Sequence, residues 1–432
     1  MQNWKTVMKT TQFTCLALLI LTLPAARGES FRTDINPAML YYRALLMPWE
    51  PMSETNRNYL STKQGKEQKL PERFGQIVAN HDNQFELVRR AAHATMPCDW
   101  GIDLSDGPNI MLPHLGRAKV VCQIAQLRAV WDLQHGRQDD ARDDLLAAFV
   151  LGRNVASDGI LISALVQFAI EALDYGTIAE HFGEFSPETL KQLVAGFDAA
   201  PARHTVAACI QTEKIGFYDW MVNKILELQK AHPADDAKVM TGFRDCGVVT
   251  GLDSVGYTNF WPRLVAASGG TSEGVLKLLR EEETLYPRVA KIMALPQPEY
   301  ETQAKQFLAD IHDSQNPFIN GFFSLYFTGL PLVSGPKIPV RAKEFRVQAQ
   351  QAMVHAAVEY KLHGESGLKS VMDPFRNGPF AFQRFVFKGV DRGFELKSAY
   401  AGADAPFVMI FVEKQGPAFQ VIGPDAGKAI DK

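Results

Sequence analysis

The sequence predicts a mainly α protein of packed antiparallel helical hairpins, a repeat-like α-α domain, with a small C-terminal antiparallel β appendix. Three observations predict it. From Asn36 to about His363, apolar residues return every three or four positions in segments broken by Pro and Gly, the pattern of helices that each bury one face. Between Leu115 and Arg153 two such segments meet at His135-Gly136-Arg137, which makes a helical hairpin. After Asp373-Pro374-Phe375 the pattern changes to short aromatic and β-branched runs typical of strands.

The 432 residues include 45 Lys and Arg against 48 Asp and Glu, with 46% hydrophobic and 22% charged residues. That globular composition excludes disordered, collagenous and multi-span membrane classes. The slight acidic excess gives no electrostatic reason to expect nucleic acid or an anionic membrane surface as a partner.

Residues 1–28 read as a signal peptide. Lys5 and Lys9 supply its positive start, Phe13 to Leu23 its apolar core, and Pro24 a break before Ala26-Arg27-Gly28, with cleavage expected before Glu29. The apolar core is shorter than the roughly 20 residues that cross a bilayer as a helix, so no stable span is expected after cleavage. Cys15 follows Phe13-Thr14 instead of small residues, which argues against lipid attachment. The mature chain is expected in the periplasm or secreted, with a helical domain over 29–365 and a β subdomain over 366–432. An oxidising compartment permits disulfides among Cys98, Cys122, Cys209 and Cys246. Cys98 with Cys122 and Cys209 with Cys246 close the shortest loops; buried free thiols are the equal alternative.

Along the chain, Asn36-Pro37 starts a first helix with Met39, Leu40, Leu45 and Leu46 as its buried side, and Pro48 stops it. Ser53 to Pro71 is polar and reads as a connection, and Arg73 to Ala94 as one helix. In the hairpin, Val120, Ile124, Leu127, Ala129 and Trp131 line the first helix, and Ala141, Leu145, Ala148 and Phe149 the second. Ala129, Gly136, Ala141, Leu145 and Ala148 fall where a tetratricopeptide repeat places its small and apolar residues. Asp132 stands where that repeat has an aromatic, and no second copy follows. Ile160 to His181 is apolar around nearly its whole circumference, as a central buried helix would be. Ser186-Pro187-Glu188 caps a helix running to Asp198. Further helices fit Ala202 to Ala231, Gly274 to Met293, Pro298 to Ser314 and Arg341 to Leu362. Gly242 to Gly270 reads as irregular and Gly329 to Pro339 as a linker. Phe380 to Phe387, Gly393 to Tyr400, Phe407 to Val412 and Phe419 to Ile422 are the expected strands, packing on the last helix.

Residues 97–171 carry Pro97-Cys98-Asp99-Trp100-Gly101, Gly107-Pro108-Asn109, Leu112-Pro113-His114-Leu115, Asp144-Leu145-Leu146-Ala147-Ala148, Leu161-Ile162-Ser163 and Ala169-Ile170-Glu171. The C-terminal part carries Asp373-Pro374-Phe375-Arg376-Asn377-Gly378-Pro379-Phe380 and Gly393-Phe394-Glu395-Leu396. This set resembles a group of uncharacterised exported or membrane-anchored helical proteins of planctomycete-type bacteria. The resemblance implies a helical architecture and an exported address, and it transfers no catalytic residue.

Candidate chemistry is sparse. Asp99, Asp103 and Asp106 fall within a turn-rich stretch and are the candidate ligands for a hard cation such as calcium, with His93 and His114 near in sequence; capping of turns is the alternative. Gly270-Thr271-Ser272-Glu273-Gly274 matches GxSxG, a nucleophile motif that needs a strand before the serine; without one, Thr271 or Ser272 reads as a helix cap. Ser334 with Lys337 and Ser366 with Lys369 match SxxK. Asp139, Asp140, Asp143 and Asp144 crowd a helix start, where acids favour the dipole and are expected to be solvated. Phe318, Phe322, Phe323, Tyr326 and Phe327 read as a buried aromatic set, with a ligand groove as the rival. No CxxC, HExxH or HxH spacing supports zinc, and no cofactor is expected. The expected function is therefore an exported helical scaffold that binds an envelope protein or peptide without catalysis. The rival expectation is an envelope serine hydrolase using Ser272 or a Ser/Lys pair.

Overall fold

A computed structural model describes residues 32–48, 52–246, 259–329, 338–402 and 405–430. The expected signal peptide and the Ser334/Lys337 pair lie outside these residues. The described chain is mainly helical with one small sheet, as its periodicity predicts.

Asn36 caps α1 (Pro37–Leu46), its Oδ1 accepting from the Ala38 amide, and Pro37 takes a first-turn position that needs no N–H partner. The polar stretch expected as a connection folds into α2 (Glu54–Ser61) and α3 (Lys63–Glu67), capped by the Ser53 and Thr62 hydroxyls. The single helix expected next is two, α4 (Glu72–Asn80) and α5 (Asp82–Ala92), broken at His81, whose Nδ1 lies 2.7 Å from the Ile77 carbonyl. The buried face of α1 is also corrected. Ala38, Tyr41 and Ala44 join Leu40 and Leu45 inside, and the small Ala38 and Ala44 let α1 lie close on α5, which turns Met39 and Leu46 out to 62% and 70% exposure.

The hairpin is α6 (Pro113–Gln134) and α7 (Gln138–Val155), joined where Gly136 adopts φ +75°, a conformation that favours glycine. Asp132 closes this turn. Its carbonyl accepts from the Arg137 amide at 2.8 Å and its carboxylate pairs with the Arg137 guanidinium. The single turn Ala156–Asp158 leads to α8 (Leu161–Glu180), which packs on both hairpin helices. By length and composition α8 is apolar enough to cross a membrane, yet 67% of its most apolar window lies inside the protein.

The chain continues through α9 (Pro187–Ala199), α10 (Val206–Glu213) and α11 (Trp220–Ala231). One helix was expected across the last two; a π-helical turn, Lys214–Asp219, joins them instead. Next come α12 (Asp236–Asp245), α13 (Phe260–Ser268), α14 (Ser272–Glu283), α15 (Tyr286–Met293) and α16 (Gln297–His312). Both ends of the stretch expected to be irregular are therefore helical. A second π-helical turn, Ile319–Phe323, precedes α17 (Ser324–Thr328), and α18 (Val340–His363) and α19 (Glu365–Ser370) complete the helices. Phe318, Phe323, Tyr326 and Phe327 are buried in the main core, and the Phe322 side chain lies outside the described set.

The sheet is antiparallel, in the order β1 (Ala381–Phe387), β2 (Val390–Gly402), β3 (Ala405–Val412). Lys388 and Gly389, both at positive φ, form the two-residue turn between β1 and β2. The fourth expected strand instead lies along β3 through a Met409–Ile422 bridge. Phe394, Leu396, Met409 and Phe411 share one hydrophobic core with Phe182 and the α18 side chains, so helices and sheet are fused apolar bodies. At Gly183 a Cβ would sit 2.2 Å from the Glu413 carbonyl oxygen; only glycine permits that approach of helical body to sheet. Cys98, Cys122, Cys209 and Cys246 are free thiols, and neither short-loop pairing is made.

Candidate functional site

Trp100 organises the segment that sequence reading singled out. It is 4% exposed, donates from Nε1 to the Asn154 carbonyl at 2.7 Å, and stacks on His114 with centroids 4.4 Å apart. Asp99, Asp103 and Asp106 remain at the surface around it. Asp99 Oδ1 accepts from the Gly101 amide at 2.8 Å, and Asp103 Oδ1 from the Ser105 amide at 2.9 Å, each closing a turn on the residue two ahead. Those bonds hold the Asp103 carboxyl below its ordinary range. Among the described residues no group of three or more His, Cys, Asp and Glu side chains is placed to hold a metal ion. His93 is exposed.

His114 is the residue of that stretch that enters the interior. It is 1% exposed, and its Nε2 lies 3.9 Å from Asp158 Oδ2. Burial depresses its pKa to about 4, so the imidazole is neutral near pH 7. The Asp158 side chain is 3% exposed; its Oδ1 accepts from the Ile160 amide at 2.9 Å and its Oδ2 from Ser163 Oγ at 2.8 Å. Burial outweighs those bonds and pushes the carboxyl up to about 6. Ser, Asp and His thus adjoin, but the aspartate stands between the other two. In a nucleophile triad the histidine does, because it must take the hydroxyl proton. Burial pushes the Cys98 thiol up to about 12, which keeps the sulfur as a thiol and unreactive.

A second acid joins this seam from α10. Glu213 Oε1 accepts from the Leu161 amide at 2.9 Å, and Tyr326 donates to its Oε2 at 3.5 Å. Burial first, and the charge of Asp158 in addition, raise Glu213 to about 7. Farther along, Glu282 is wholly buried with Tyr286 donating to Oε1 at 3.3 Å, and burial raises it to about 8. Tyr286 lies between the two π-helical turns, against Tyr218 of one and Phe323 of the other.

Asp174 of α8 is wholly buried with neither carboxyl oxygen hydrogen-bonded, and burial raises it well above the ordinary carboxylate range, whereas Asp144 and Glu171 are paired with arginine. Asp144 is fully buried between Arg89 at 2.7 Å and Arg128 at 2.8 Å, which corrects the expectation that all four hairpin acids are solvated. Asp139, Asp140 and Asp143 are exposed by 80%, 50% and 46%. Glu171 sits between Arg153 at 2.9 Å and Arg203 at 2.6 Å.

Ser272 begins α14 and is 3% exposed. Its hydroxyl donates to Asp236 at 2.5 Å and accepts from Gln229 at 2.8 Å, while Thr271 caps the helix and the preceding α13 is helical. Ser366 donates to the His363 carbonyl, and Lys369 pairs with Glu365 at 3.2 Å. The described surface also holds an open groove of about 630 Å³ at the hairpin end. Gly136 to Asp140 line one side and Ser186, Glu188, Thr189 and Gln192 the other.

Sequence reading located Trp100 and His114 but missed Asp158, Ser163 and Glu213. Asp158-Gly159 before an apolar run is a local turn signal; Glu213 has none, because its partner amide lies on another element. Compared with known proteins, the chain matches no family model, no curated protein and no solved structure.

Proposed function

We propose that this chain is an exported helical scaffold of the cell envelope that holds a protein or peptide partner and carries out no reaction itself. The observation that supports this most is the groove between the hairpin turn and the start of α9. It is open and polar, and it sits on a rigid hairpin whose helices are clamped by Asp144 and Arg128. The acid-rich seam around Asp158 is by contrast sealed inside the protein. A rigid scaffold loses little conformational freedom on binding, which favours recognition of a flexible segment.

The test places a photo-crosslinking residue at Gln192, inside the groove, and in a second protein at Lys305, exposed on α16. In intact cells the Gln192 probe is expected to trap the same envelope partner in replicate experiments, and the Lys305 probe is not. No adduct at Gln192, or the same adducts at both positions, contradicts partner binding in the groove. Recovery of the chain in the cytosol with residues 1–28 attached contradicts export.

A further inference from the structure

The start of α8 is held by two carboxyls that come from different parts of the chain. Asp158 takes the Ile160 amide and Glu213 takes the next one, Leu161, both at 2.9 Å. Ser163 and Tyr326 add hydroxyl donors, so three regions, the end of α7, the end of α10 and the start of α17, converge on one helix terminus. Gly159 makes the crossing possible, since a Cβ there would come within 2.8 Å of Thr212 Oγ1.

The groups around this junction supply no formal positive charge. His114 of α6 faces Asp158 at 3.9 Å and is neutral near pH 7. Cys98 and Cys209 both feel the Asp158 charge, and Tyr42 of α1 does too. Tyr326 and Tyr286 feel Glu213. Glu344 of α18 acts on Cys209 and is itself paired with Arg341. The α8 N-terminus favours one negative charge through its amides, but a second in the same dry volume is opposed by repulsion and lost hydration.

We infer that Asp158 and Glu213 form a proton-controlled joint, which ties α8 to α10 and α17 while at least one carboxyl is protonated and loosens when both ionise. Loosening consists of water entering the junction to solvate the second charge, which frees the Ile160 and Leu161 amides. The carboxyls that burial raises to about 6 and about 7 place this change near neutrality.

Hydrogen exchange on the intact chain tests it, comparing a peptide covering 160–164 with one inside α18, each corrected for the intrinsic rate at each pH. Between about pH 5 and about pH 8, protection at 160–164 is expected to fall about tenfold or more while α18 changes little. Glu213→Gln, which keeps the shape without the charge, is expected to flatten the profile. Equal corrected protection at both pH values in the unsubstituted protein overturns the joint, whether or not the variant folds. A parallel loss in α18 overturns it also, since that is general unfolding.

Discussion

The hairpin and the seam at the start of α8 both bury acids, and they solve the cost differently. In the hairpin, Asp144 lies between Arg89 and Arg128, and behind it Glu171 lies between Arg153 and Arg203. In the seam Asp158 and Glu213, and farther along Glu282 of α14, have only amides, hydroxyls and a neutral imidazole. A carboxylate held between guanidiniums is a fixed charge whose removal leaves its partners stranded. One held by neutral donors avoids the desolvation cost by keeping its proton, so its stability contribution depends on pH. The same residue type is thus a clamp in one region and a proton reservoir in the other.

Breaking the clamp is the largest effect this comparison predicts. Arg128→Met removes the inner guanidinium from Asp144 and Asp82, and urea denaturation should show a loss of about 3–5 kcal/mol. Adding Asp144→Leu to that variant should recover much of it, because the fully buried carboxylate is gone and Arg89, whose side chain is 30% exposed, is the group that then loses its partner; a double variant no better than the single would mean that packing, not charge, is the cause. Among the acids without arginine the sign reverses. Glu282→Gln removes a group that must otherwise ionise in a dry site, and at about pH 8.5 denaturation should show a gain on the order of 2 kcal/mol that vanishes near pH 5. Thr271→Ala loses the α14 cap bond to the Gly274 amide and should cost about 1 kcal/mol at either pH. At the small end, a fluorophosphonate probe should leave the protein unlabelled, because Ser272 faces Asp236 and Gln229. Labelling that disappears in Ser272→Ala would instead favour a hydrolase.

The helical body and the sheet were legible because their signals are local. A three-to-four residue period marks a helix whatever it packs against, and the change after Asp373 marks strands in the same way. What sequence could not give is direction and convergence. Met39 and Leu46 are as apolar as Leu40, yet Ala38 and Ala44 decide which side of α1 approaches α5. Asp144 reads as one more surface acid until Arg89 and Arg128 arrive from two other helices. His81 gives no warning that it divides two helices, and a π-helical turn costs only one residue of phase, too little to disturb an apolar pattern. The seam joins positions 158, 213 and 326, which no spacing rule connects.

The unpaired acids of the interior are the most exacting part of this account, and the pH dependence of unfolding between about pH 6.5 and about pH 8.5 tests it directly. Glu213 and Glu282, raised to about 7 and about 8, hold protons that the unfolded chain has already released. Their contribution is therefore complete below the ordinary carboxylate range and is lost as pH rises through those values. His114, depressed to about 4, acts oppositely but only toward acid, below the ordinary histidine range, so it does not confuse this window. The predicted result is a fall of about 2 kcal/mol or more across the window, reduced by Glu282→Gln together with Glu213→Gln and reduced further by Asp174→Asn, since burial raises that carboxyl as well. Unfolding free energy that is flat or rises with pH over the same interval would contradict it.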